Sequence, residues 1–73
     1  MINKDWAFKV TESNVTTFKA GDIVKPVRVF NGRWLIGFDY RRSLHFDQKD
    51  KVTFECFSSI TPGKLLVRIE RIK

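Results

Sequence analysis

Residues 25–42 read KPVRVFNGRWLIGFDYRR, and the Asn31-Gly32 pair at their centre constrains the chain more than any other feature. Asn-Gly accepts the two positive φ angles of a type I′ turn, whose twist matches the strands it joins. A two-residue turn sets the register on both sides. Phe30 faces Arg33, Val29 faces Trp34, Arg28 faces Leu35 and Val27 faces Ile36. Side chains directly opposite share a face. Val27, Val29, Trp34 and Ile36 are therefore expected to form an inner apolar face, and Arg28, Phe30, Arg33 and Leu35 an outer one. Counted out from the turn, 30/33, 28/35 and 26/37 are the hydrogen-bonded pairs. Pro26 has no N–H to give, and Gly37 permits a bend, so the ladder is predicted to break at Pro26/Gly37.

The rest of the chain repeats this strand-and-turn pattern. KDWAFKVT alternates, with Trp6, Phe8 and Val10 on one side, which predicts a half-buried strand. A polar loop follows, tucked onto the core by Val15 and Phe18. RRSLHFDQKD (41–50) reads as a polar link holding at most one helical turn, with Leu44 or Phe46 packing inward. KVTFECFSSI and LLVRIERI flank a Pro62-Gly63 turn. Pairing Ile60 with Leu65 puts Val52, Phe54, Cys56, Ile60, Leu65, Val67 and Ile69 inside. It also sets Glu55 against Glu70, an unfavourable pair that either Arg68 or Arg71 would offset or a slip of two residues would remove.

Seventy-three residues make one domain, 1–73, with a thin core. Seven Phe, two Trp and one Tyr suit it, because aromatic rings bury much area per residue. The single cysteine, Cys56, excludes an internal disulfide framework and a multi-thiolate metal site, so a reducing cytoplasmic setting is expected. No apolar run is long enough to span a membrane. The N-terminal stretch, charged at Lys4, Asp5 and Lys9, does not read as a signal peptide.

Five strands in meander order, a tight middle hairpin and a long first connection resemble the SH3-like small barrel. AGDIV (20–24) is similar to a common lead into its second strand. The resemblance covers pattern and order across most of the chain and implies an all-β, five-stranded barrel. An OB-like barrel is the alternative, and it requires a helix between strands three and four.

Nothing in the sequence points to catalysis. His45 is the lone histidine, and Ser43 and Asp47 near it in sequence do not make a triad. Cys56 is expected inside a strand, where a thiol is inert. Asp47 and Asp50 read as solvated. There is no phosphate loop, and no cofactor or metal is expected.

The net charge is +6, divided as +3 in residues 1–36 and +3 in 37–73, so no basic tail stands out. Arg28, Phe30 and Arg33 on the outer hairpin face, Arg41 and Arg42 beyond it, and Phe57 and Arg68 as an outer pair elsewhere are candidate contacts to RNA or DNA. Guanidinium forks bind phosphates, and exposed rings stack on bases. The alternative is a protein-interaction module, such as a small inhibitor or regulator of the kind viruses encode, covering an acidic surface of its partner. An outer face carrying Phe30, Leu35, Phe57 and Leu66 would also suit a homodimer, so monomer and dimer both remain open.

Overall fold

The computed structural model describes residues 5–73, apart from the side chain of Phe30. Lys4, where the first expected strand begins, lies outside the described residues. Six strands follow: β1 (Phe8–Ser13), β2 (Ile23–Phe30), β3 (Arg33–Gly37), β4 (Ser43–Gln48), β5 (Thr53–Phe57) and β6 (Leu65–Arg71). Each pairs antiparallel with the next, and β6 returns to β1 to close a barrel. The described residues contain no helix.

The described residues thus form an all-β small barrel, with six strands where five were expected. The added strand is β4, in the segment read as a polar link. SLHFDQ alternates: Phe46 is fully buried and Leu44 packs against the core, while His45 and Asp47 face out. Only two apolar residues stand among eight polar or charged ones over 41–50, which masks a period of two.

The Asn31-Gly32 turn forms as expected, with both residues at positive φ, 52° and 76°. Phe30↔Arg33, Val29↔Trp34 and Arg28↔Leu35 pair in the expected register. The ladder then breaks one residue before the expected place. Pro26 pairs with Ile36 and Lys25 with Gly37, leaving Val27 as the extra residue of a β-bulge. Ladder bonds alternate, so this shift moves Pro26 to a position that calls for no N–H. Val27 consequently leaves the inner face and is only half-buried, as is Val29, while Pro26 and Ile36 are buried. The bulge bends β2, whose start pairs with β1 and whose remainder pairs with β3.

The last hairpin takes the register two residues away from the first expectation. Glu55 faces Arg68, Cys56 faces Val67 and Phe54 faces Ile69. The Glu55/Glu70 clash is thereby replaced by an ion pair. Three residues expected inside are not buried: Ile60 is 90% exposed in the β5–β6 loop, Val52 is exposed and Leu65 is half-buried.

Phe8, Val10, Val24, Ile36, Phe46, Phe54, Cys56, Val67 and Ile69 fill the barrel, and Phe18 enters from the β1–β2 loop as expected. Aromatic groups close both ends. At one end Trp6 stacks on Trp34, centroids 5.2 Å apart, and the Arg71 guanidinium lies 4.4 Å from the Trp6 ring. At the other, Phe38 packs on Phe18 at 5.5 Å with the Arg42 guanidinium 5.4 Å from its ring.

Phe46→Ala is expected to cost about 3–5 kcal/mol, as for a fully buried ring. Ile60→Ala is expected to stay within about 0.5 kcal/mol. Urea unfolding of both variants checks β4 and the shifted register together. A small cost at Phe46 would contradict the inward face of β4.

Candidate nucleic-acid interface

The outer face of β2, β3 and β4 presents successive rows of side chains. Arg28 lies opposite Leu35, and Leu35 opposite His45. One row toward the turn, Arg33 has Asp47 as its neighbour on β4. One row away from the turn, exposed Lys25 pairs with Gly37.

The β3–β4 loop is folded back onto this surface. The Asp39 carboxylate accepts hydrogen bonds from the Arg41 and Arg42 backbone N–H groups at 2.9 and 2.8 Å, and from Arg42 Nε at 3.1 Å. Ser43 Oγ donates to the Tyr40 carbonyl at 2.9 Å. This packing requires glycine at position 37, because a Cβ there would lie 2.1 Å from the Arg42 carbonyl oxygen. The glycine anticipated as a bend thus also serves as the seat of the loop. Tyr40 is held over the sheet, 64% exposed, with its hydroxyl 3.5 Å from Arg28 Nη1.

A cleft of about 340 Å³ results, lined by Arg28, Leu35, Tyr40, Ser43, Leu44 and His45. Leu35 is buried yet stands apart from the core cluster, so it serves as the floor of the cleft. One cation, one exposed ring, an imidazole and an apolar floor therefore converge on one small space.

The other candidate residues are placed differently. Arg33 is on the same face but is held by Asp47, Nε–Oδ1 3.0 Å and Nη2–Oδ2 3.4 Å. Arg42 is held by Asp39 at 3.0 Å and by the Phe38 ring. Arg41 is exposed on the loop, and among the described residues no acceptor meets its guanidinium. Arg68 bridges Glu55 at 2.9 Å and Glu12 at 3.2 Å. In a closed barrel of six strands β6 lies three strands from β3 in either direction, so Arg68 faces away from the cleft. The expected Phe57/Arg68 pair does not form, since Phe57 pairs with Leu65. The backbone of Phe30 ends β2, and its side chain lies outside the description.

Tyr40, His45 and the floor at Leu35 were missing from the candidate set. Tyr40 follows the strand by three residues, so strand pattern says nothing of its position. His45 read as a loop histidine because β4 was not recognised; the alternation of SLHFDQ would have placed it outside. Among the described residues no three of His, Cys, Asp or Glu are grouped as metal ligands would be. Burial pushes the Cys56 thiol above its ordinary value. Comparison of the chain with family models, curated proteins and solved structures found no match in any of the three.

Two consequences follow for stability. Glu55 is buried, and Arg68→Ala would strand its carboxylate. The expected cost is about 2 kcal/mol, less than a fully buried pair because Arg68 remains partly exposed. Denaturant unfolding measures it, and Arg68→Ala with no loss would contradict the bridge. The second concerns acid. The backbone bond from Arg42, then its side-chain bond, hold the Asp39 carboxyl below its usual value of 3.8. A lowered carboxyl contributes above its unfolded value and loses that contribution as pH falls through the folded one. The β3–β4 loop is therefore expected to keep its cap down to 3.8 and to release it below. The Arg41 and Arg42 amide resonances followed by acid titration report the change.

Proposed function

We propose that this barrel is a non-catalytic nucleic-acid-binding module that works through the outer face of β2–β3–β4. The observation that carries the reading is the cleft, where Arg28 and exposed Tyr40 stand over the Leu35 floor. Guanidinium and ammonium groups bind phosphates, and an exposed ring stacks on bases without demanding a sequence. Arg28 and Arg41 are assigned to phosphates, with Lys25 adding charge at the rim. Binding is weakly sequence-selective and salt-sensitive. Arg33 and Arg42 stand on or beside this face, each paired with a carboxylate, whereas Arg68 lies three strands away and takes no part. Consecutive antiparallel strands and the lack of a helix among the described residues favour the SH3-like comparison over the OB-like one. The single unpaired thiol of Cys56 fits a reducing compartment such as the cytoplasm.

A second reading is a regulator that docks on an acidic protein surface. The net charge of +6 favours it, since a basic surface is complementary to an acidic one.

Binding of labelled single- and double-stranded DNA and RNA at about 50 and 200 mM salt tests the first reading. Affinity is expected to fall by orders of magnitude between the two conditions. An Arg28→Ala/Arg41→Ala variant should lower the salt slope by about 1.5–2, corresponding to two phosphates, whereas Arg68→Ala should leave it unchanged. Absence of binding at the lower salt would overturn the proposal.

A further inference from the structure

Resting on that reading, we infer that the cleft is a seat for a single unpaired nucleobase, and that the module binds single-stranded nucleic acid in preference to duplex. The cleft volume, about 340 Å³, lies at the small end of ligand sites, which run from about 300 to 1,000 Å³. It therefore has room for one nucleotide-sized group. Its walls are chosen for a flat ring. The Leu35 side chain forms the floor, the Tyr40 ring forms an exposed wall, and His45 stands at the opposite strand.

The geometry separates the two parts of a nucleotide. Leu35, Leu44 and the Tyr40 ring supply apolar and aromatic surface to the cleft, and Arg28 lines it beside the Tyr40 hydroxyl, with Arg41 the next residue of the loop. A base entering the cleft would leave its phosphate beside Arg28. A base within a duplex hides both ring faces in the stack, so it cannot occupy this space without being unstacked. A single strand pays less, because its bases are unpaired and only partly stacked.

The seat is also held in place. Asp39 caps the loop through two backbone N–H groups, Ser43 ties the Tyr40 carbonyl to β4, and Gly37 admits the Arg42 carbonyl beneath. Tyr40 is thereby presented by a fastened backbone, which lowers the ordering cost when a base stacks on it. Substituting its exposed side chain removes the stacking surface and leaves these backbone bonds in place.

Fluorescence anisotropy tests the inference with three probes of about 12 nucleotides: a single strand, the same sequence as a duplex, and a single strand of abasic sites. Single-strand affinity is expected to exceed both others by about tenfold or more at about 50 mM salt. Tyr40→Ala should lose about tenfold or more on the single strand, with the salt slope unchanged, while Tyr40→Phe keeps the affinity. DNA and RNA versions of each probe distinguish the two sugars. Equal binding of all three probes would overturn the base seat and leave the phosphate reading standing. So would a Tyr40→Ala variant with full affinity. Absence of binding to every probe would overturn both.

Discussion

Strand β2 serves two sheets, and the structure depends on how it manages this. Its first residues pair with β1 and the rest with β3, so the strand must bend between them. Uninterrupted pairing would set Pro26 at a bonded position opposite Gly37, where the missing N–H would cost a ladder bond. The bulge at Val27 shifts the register by one and removes that conflict. It also sorts the side chains. Val24, Pro26 and Ile36 turn into the barrel, while Lys25 and Arg28 turn out. Gly37, relieved of the proline, becomes the place where the β3–β4 loop can lie against the sheet. The bend and the cleft are thus products of one local irregularity.

Charge in this barrel is spent before it can be counted. Three arginines are drawn into ion pairs with Asp39, Asp47, Glu12 and Glu55. Exposed pairs of this kind contribute little to stability, but they neutralise a surface locally. Arg68 is different because it compensates a buried carboxylate, and its position is set by the needs of Glu55. A tally along the chain treats all these arginines as equal. Their partners come from other strands or from across a turn, and only the register shows which cations a polyanion would meet first.

The same limit explains how far the residues could be read in advance. The Asn31-Gly32 hairpin was legible because a two-residue turn leaves one register, and its pairs hold as far as Arg28↔Leu35. The buried residues of β1, and Phe18 in the loop after it, were legible from alternation and from large apolar groups in polar surroundings. The position of the bulge was not, since it depends on which of two adjacent residues yields when proline meets a bonded position. The last hairpin was ambiguous by two residues because its longer turn does not dictate a register; the electrostatics of Glu55 pointed to the pairing that forms. Strand β4 was hidden by its own polarity. With it went His45, and with the loop after β3 went Tyr40. Arg28 could be named as a basic residue, but its grouping with a ring around Leu35 arises from tertiary folding alone.

The use of aromatic residues narrows what the exposed face is for. A domain this small relies on large rings for its core, and most of these rings are so employed. Phe8, Phe18, Phe46 and Phe54 are fully buried, and Trp6 and Trp34 stack to close one end. Phe38, though 40% exposed, closes the other end against Phe18. Tyr40 is the most exposed aromatic residue among those described, and none of the ring contacts that bind the others together includes it. Its ring covers no core, yet the backbone beneath it is fixed by the Asp39 cap and by Ser43. A fold that needed only a soluble loop would be served by a smaller polar residue there. An exposed ring on a fastened backbone, beside an arginine and above an apolar floor, is the arrangement expected of a surface that stacks.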